Sequence, residues 1–547
     1  MMPELINPVL TGFNPDPSIV AVGEDYYIAT STFEWFPGVQ IHHSKDLVHW
    51  RLLTRVLDRV SQLDLRGCQH SGGVWAPCLT YADDQFWLVY TNVRSHGGPV
   101  TDSPHFLVTA PDIEGPWSEP VVLGANGFDP SLFHDKGGKK YLVNMQMGSV
   151  GAVGVEERFD GITIQEYCHD RKKLVGERIK IWEGTELGVT EGPHIYRKDG
   201  WYYLLTAEGG TAFNHAVSVA RSRNLTGPYE ADPDGPMLTS ANRPDLNLKS
   251  AGHGDLFQSP DGSWFTVHLC HRPLQKRGVP ETAWDQDKVA ILGRETGIQR
   301  VAWPDGEFPR LADGGNAPSD IVPAPEGPLY PWEDALRDDF NGPVLNPHFQ
   351  TLREPADESW LSLSRCPGSL SLKGRNSLFS RFDQSLVARR LQHFRAEAET
   401  GLVFSPTSPK QEAGLIAYYD RNNYHYLRMA GDGKGGCRVG VVSSDFSPGM
   451  ERPLITVQNV CDLKPGAKIY LKMMNEHADL RFAWSLNGEE WNWIEQTFDS
   501  TNMGDWSSAI SGFAGTFWGL CCQDMTGDGI WAEFDCFDYR IPVKETL

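Results

Sequence analysis

No stretch of this 547-residue chain approaches the roughly 18 consecutive apolar residues that a membrane-spanning helix needs. Its first residues, MMPELINPVLTGFNP, lack the basic start and apolar core of a secretory signal. A cytoplasmic protein is therefore expected. Basic residues are scarce: 49 Lys and Arg stand against 71 Asp and Glu, a net charge of −22 that repels phosphate backbones and anionic membranes. This excludes nucleic acid and membranes as partners and favours a neutral small molecule. The ten cysteines show no CxxC spacing, and Cys521 and Cys522 are neighbours rather than a bridge pair, which removes the common metal and disulfide frameworks. They read as reduced, mostly buried thiols. The first half of the chain also lacks helical periodicity.

What the chain has in quantity is apolar and aromatic residues, 40% and 11% of the total, with 18 Trp. That is ample for packed cores, and the length calls for at least two of them, because single cores stop growing at about 250–300 residues. One unit recurs five times: DPSIVAVGEDYYIA, APCLTYADDQFWLV, DPSLFHDKGGKKYLV, GPHIYRKDGWYYLL and GDLFQSPDGSWFTV. Each is an apolar run, a turn and an aromatic-led apolar run, the pattern of a β-hairpin. The aligned aromatics Tyr27, Trp87, Tyr141, Tyr203 and Phe265 lie 54 to 62 residues apart, enough for one four-stranded antiparallel blade per repeat. The expected fold is a five-bladed β-propeller, in which the innermost strand of each blade faces a central channel.

The repeat also aligns what precedes each hairpin: Pro15-Asp16, Trp75-Ala76, Phe128-Asp129, Glu191-Gly192 and His253-Gly254. A single Asp-Pro is ordinarily a turn initiator. Three carboxylates at the heads of separate blades are another matter, because like charges gathered in one concave site oppose each other's ionisation and cost stability. Such a set suits glycoside hydrolysis, which needs a proton donor to the leaving oxygen and a second carboxylate to activate water or attack directly.

The motifs NPDPSI, GGVWAP, GFDPSLF, TELGVTEGPHIY, LTAEGGT, KSAGHGDL, LGRETGIQRVAW and GTFWGLCCQD occur in order along nearly the whole chain. Together they resemble glycoside hydrolase family 43, in particular its two-domain intracellular β-xylosidases and α-L-arabinofuranosidases. The resemblance implies that Asp16 is the general base, Glu191 the general acid and Asp129 the carboxylate that orients the acid and tunes its pKa. It implies that Arg294 binds substrate hydroxyls and that Phe33, Trp75, Phe128 and Thr211 line the site for the nonreducing-end sugar. His253 has two readings in such a family: a ligand, direct or through water, of a calcium or other divalent ion in the hub, or an imidazole hydrogen-bonded in the leaving-group site. No cofactor is expected for the chemistry itself. The implied activity is inverting exo-hydrolysis of xylobiose and short β-1,4-xylo-oligosaccharides. An α-L-arabinofuranosidase or bifunctional enzyme is the alternative, and a non-catalytic sugar-binding protein a more distant one. Relatives are often dimers or tetramers, so a homo-oligomer is expected. The chain departs from these relatives at Cys78, where APH is usual, and at Asn144–Gly148, where many carry a segment such as LWDHR.

The Pro- and Gly-rich FPRLADGGNAPSDIVPAPEGPLYPW marks a change of pattern. The expected division is a propeller over 1–320, a linker over 321–335 and a β-sandwich over 336–547, jelly-roll and lectin-like. Asn487-Gly488 reads as a two-residue hairpin turn. The resemblance further implies that this domain closes the active site, its loop GTFWG presenting Phe517 to the propeller mouth.

Overall fold

The computed structural model describes residues 3–97, 100–148, 158–280, 287–507 and 512–542. By contacts the chain divides into two units, one made of 1–64, 72–272 and 294–332 and the other of 65–71, 273–293 and 333–547.

In the first unit each repeated hairpin grows into an antiparallel blade. Blade 1 comprises Ser18–Val22, Asp25–Thr30, Gly38–Ser44 and Arg51–Leu57; blade 2 comprises Gly73–Ala82, Gln85–Val93, His105–Ala110 and Val121–Gly124. Blade 3 comprises Phe128–His134, Lys140–Met147, Phe159–Cys168 and Lys173–Trp182. Blade 4 is built on Glu191–Lys198, Trp201–Glu208 and Ala216–Ser222, and blade 5 on Lys249–Gln258, Trp264–His271 and Glu295–Ala302. Local sequence explains the tight turns: Asp83-Asp84 and Asp199-Gly200 both take two successive positive φ angles, the geometry that matches the twist of paired strands. The cores lie between blades. Trp87, Val89, Leu132 and Leu142 join blades 2 and 3, and Phe133, Val143, Ile195 and Leu204 join blades 3 and 4. The ring is closed by Glu4–Ile6 pairing with Ile321–Pro323 and by Leu10 bridging to Thr296.

The aromatic alignment holds to the residue. Trp75 pairs with Thr91, Phe128 with Met145, Glu191 with Ala207 and Gly252 with Leu269, and the aromatics Trp87, Tyr141, Tyr203 and Phe265 each stand four residues before that partner. Tyr27 stands likewise before Ser31, whose N–H donates to Pro15 O. The same ruler corrects the head of blade 5. Its pair is Gly252-His253, not His253-Gly254, because in blades 2 to 5 the strand register shifts just after the residue that pairs at the head, and in all five blades the residue following it has positive φ: Asp16 (53°), Ala76 (28°), Asp129 (51°), Gly192 (54°) and His253 (49°). Asp16, Asp129 and His253 are thus equivalent, and Glu191 sits one residue earlier in its blade.

The second unit is a β-sandwich. One sheet carries Leu454–Leu463, Cys437–Asp445, Asn423–Gly431, Gln411–Asp420, Phe517–Asp524, Ser385–Arg390 and Gln350–Leu352 in that order. The other is centred on Trp531–Phe534, Arg395–Val403, Lys468–Glu476 and Asp479–Ser485. Asn487-Gly488 does not form the expected two-residue turn. Trp484 pairs with Asn492, and the loop between them is organised by Asn487 Oδ1, which accepts from the N–H groups of Glu489 and Glu490. The asparagine side chain thereby satisfies the backbone that a tighter hairpin would have paired.

Candidate active site

The blade heads turn side chains towards the axis, and the three sequence-predicted carboxylates become buried neighbours. Asp16, Asp129 and Glu191 are 5, 6 and 7% exposed. Asp16 Oδ1 accepts from Arg294 Nη1 at 2.6 Å and Oδ2 accepts from the Ser31 hydroxyl at 2.7 Å; His253 Nδ1 lies 3.6 Å from Oδ1. Arg294 comes from the residue preceding a blade 5 strand, where the backbone is fastened across the ring: Asn14 N–H donates to Arg294 O, and the Thr296 hydroxyl to Asn14 O. This local stitching brings Arg294 to a carboxylate 278 residues away.

The electrostatics separate the acids. Burial is the main force raising the Glu191 carboxyl to about 8, with the Asp16 charge adding to it and Arg294 opposing. Asp129 is also pushed well above the usual carboxylate range, by burial first and then by Glu191 and Asp16, while the Gly192 N–H and Arg294 pull the other way. Asp129 and Glu191 therefore titrate as an interacting pair. His253 is lowered to about 4, chiefly by burial, so its imidazole is neutral near pH 7.

An aromatic wall adjoins these groups. Ring centroids run Phe13–Phe33 at 5.2 Å, Phe33–Trp75 at 6.0 Å and Trp75–Phe128 at 5.4 Å, the last edge to face. The Arg294 guanidinium lies 5.4 Å above the Phe33 ring. Thr211, in the turn after Gly209-Gly210, is half-buried and makes no hydrogen bond to the carboxylates among the described residues. Phe517 belongs to the second unit and begins the strand Phe517–Asp524 instead of standing on a loop. Its ring is buried beneath the Arg390 guanidinium, 5.2 Å away.

Three contributors carried no usable sequence signal. Ser31 is one serine among many, and its role depends on pairing with the Pro15 backbone. His194 and Glu208 lie inside motifs already noted, GPHIY and AEGGT, but the carboxylate beside His194, Asp255, comes from blade 5, and the donors to Glu208 come from the strands of blade 4 and the loop before them. Asp16, Asp129, Gly192, His194, His253 and the Ala76–Cys78 segment of the blade 2 inner strand line a cavity of about 10 Å³, room for one water. Cys78 is unreactive there, burial pushing its thiol up to about 12.

The hub does not fit a cation bound directly by protein. Among the described residues no group of three His, Cys, Asp or Glu is arranged as ligands. The Asp16 oxygens beside His253 already accept from Arg294 and Ser31, and His253 Nε2 faces Gly192, whose position would place a Cβ 2.8 Å away. This geometry does not support His253 as a direct ligand of a divalent ion.

A propeller whose blade heads gather buried carboxylates, an arginine and an aromatic wall defines the class of glycoside hydrolases. The chain belongs to glycosyl hydrolases family 43, whose model matches residues 5–308, and residues 337–540 match the β-xylosidase C-terminal concanavalin A-like domain. It is 46% identical to a xylan 1,3-β-xylosidase of a Vibrio species, over 97% of this chain and 98% of the relative. It is 43% identical to xylosidase/arabinosidase 43B of Humicola insolens, over 99 and 98%. The crystal structure of a xylan β-1,4-xylosidase from Bacillus halodurans superposes with a TM-score of 0.92 at 45% identity, covering 98% of this chain and all of that one.

Proposed function

We propose that the protein is an inverting exo-β-xylosidase that releases xylose from the nonreducing ends of xylobiose and short β-1,4-xylo-oligosaccharides. The observation that carries this reading is the asymmetry of the acids. Glu191 is raised to about 8 and so keeps a proton to give to the leaving oxygen, whereas Asp16 receives two donors, Arg294 and Ser31, and is left as an acceptor for a proton from water. Asp129, a buried carboxyl raised by burial and by the Glu191 and Asp16 charges, is the neighbour read as orienting the acid. Arg294 brings a guanidinium suited to sugar hydroxyls, and Trp75 and Phe128 supply apolar surface to a pyranose face.

Linkage and sugar are the finer points. The Vibrio relative is named for a 1,3 bond, the Bacillus halodurans structure for a 1,4 bond, and the Humicola relative for both sugars. An α-L-arabinofuranosidase side activity is therefore part of the proposal. All ten cysteines are free, which supports a reducing, cytoplasmic location, and no helix among the described residues is long and apolar enough to cross a membrane. Self-association into dimers or tetramers is proposed from the resemblance and is read by light scattering.

The deciding experiment follows hydrolysis of xylobiose, 1,3-linked xylobiose and nitrophenyl arabinofuranoside side by side, with NMR of the first-formed anomer. Release of α-xylose from xylobiose is expected. Release of β-xylose would overturn the water-activating role of Asp16, and silence on all three substrates would overturn the enzyme.

A further inference from the structure

Glu208 ends the second strand of blade 4 and is fully buried. Among the described residues it has no cationic partner: every hydrogen bond it accepts comes from a neutral group. The Thr185 N–H reaches its two oxygens at 3.2 and 3.3 Å, the Thr185 hydroxyl also donates, and the hydroxyls of Thr190, Thr206 and Ser218 donate at 3.5, 3.2 and 3.2 Å. Burying a carboxylate away from any cation is costly. The donors show what it accomplishes. Thr206 and Ser218 belong to the blade's own strands, but Thr185 and Thr190 are the two ends of the loop that delivers the chain to Glu191. The middle of the same loop is fastened to the next residue, Gly209 N–H donating to Gly188 O at 2.8 Å. Glu191 itself pairs with Ala207, immediately before Glu208.

We propose that Glu208 is a positioning residue for Glu191: its carboxylate holds the Thr185–Thr190 loop at both ends so that the Glu191 carboxyl faces the leaving-group oxygen. This rests on the reading of Glu191 as the acid. The chemistry requires a carboxylate in particular. Its two oxygens only accept, with about four lone-pair sites. Glutamine would turn an NH₂ group towards these donors and leave part of the loop unheld.

The test exploits the fact that proton donation matters in proportion to the basicity of the leaving group. We expect Glu208→Gln to lose about 30-fold or more in kcat/KM on xylobiose but only about 3-fold on dinitrophenyl xyloside, since an ångström of misplacement costs on the order of 100-fold when the displaced group is needed. Glu191→Gln, measured alongside, should show the same pattern more steeply. A merely structural role would lower the folded fraction and reduce both substrates equally, and that result, or no loss at all, overturns the proposal. If Glu191→Gln shows no leaving-group dependence, the acid assignment fails; if it does and Glu208→Gln does not, only the positioning role fails. Should Glu208→Gln not fold, Thr190→Val removes a single loop hydroxyl and must move the same substrate ratio in the same direction.

Discussion

Glu191 is a buried acid whose proton is retained by its surroundings, and this has a measurable cost. Its carboxyl titrates near 8 in the folded protein instead of near 4.5. A folded-state value raised above the unfolded one means that the folded form binds the proton more tightly. The associated stability is fully present below about pH 4.5 and is lost as the pH rises through 8. Glutamine imitates the protonated side chain and never ionises. Glu191→Gln is thus expected to melt with the wild type at pH 4 and above it at pH 9, by a few kcal/mol at most, since a tenfold change in proton affinity is worth about 1.4 kcal/mol. Calorimetry of both proteins across that range checks it; a difference independent of pH would show that Glu191 is not the group being strained. In the wild type, kcat/KM on xylobiose should fall above about pH 8 as the donor loses its proton.

At the scale of the element, the positive-φ residue at the head of each inner strand does the aiming. A positive φ at Asp16, Asp129 and His253 swings side chains out of the ordinary strand alternation. Aspartate tolerates that region better than most residues. Blade 4 places Gly192 at this position, and its neighbour explains why: a Cβ there would stand 2.8 Å from His253 Nε2. Gly192→Ala should destabilise the protein by about 1–3 kcal/mol through backbone strain and crowding and lower kcat/KM at least tenfold by moving the adjacent Glu191. Urea unfolding of Gly192→Ala, His253→Ala and the double variant tests the contact. The double variant should be more stable than the sum of the two losses predicts, because removing the imidazole relieves the clash; strict additivity would mean that the two do not meet.

The same heads explain how much was legible in the sequence. Hairpins, their turns and the aromatic ladder from Tyr27 to Phe265 follow from local periodicity, and the local chain decides them. The heads were legible for blades 1 to 4, where a proline or glycine follows the marker residue. In blade 5 the run Gly252-His253-Gly254 offers two equivalent glycines, and only cross-strand pairing of Gly252 with Leu269 selects between them. Glu208 was hidden for a related reason. Nothing in AEGGT distinguishes a surface glutamate from a buried one until the hydroxyls of Thr185, Thr190 and Ser218 converge on it. Asn487-Gly488 misled because side-chain hydrogen bonds outweighed the dipeptide's turn preference.

At the scale of the ring, five blades must be held in register by something more specific than apolar packing. Asp255 supplies one such tie. From blade 5 its carboxylate accepts from Ser18 Oγ and Ile19 N–H of blade 1, both at 2.9 Å, and from Tyr196 OH of blade 4 at 2.5 Å. Ser18 Oγ in turn accepts from Leu79 N–H of blade 2 at 3.1 Å, so four of the five inner strands meet at one buried group. Blade 3 is joined to its neighbours through the apolar clusters on either side. Asp255→Ala leaves three buried donors unmatched at about 1–3 kcal/mol each, whereas Asp255→Asn keeps one acceptor oxygen and should cost less. Hydrogen exchange resolves where the loss is felt. Amides of Ser18–Val22, Gly73–Ala82 and Glu191–Lys198 should exchange faster in Asp255→Ala, while Phe128–His134 in blade 3 stays near the wild-type rate. Equal acceleration in all five inner strands would mean that the ring opens as one cooperative body. Unchanged exchange at Ile19 would show that the carboxylate is not what joins the first blade to the last.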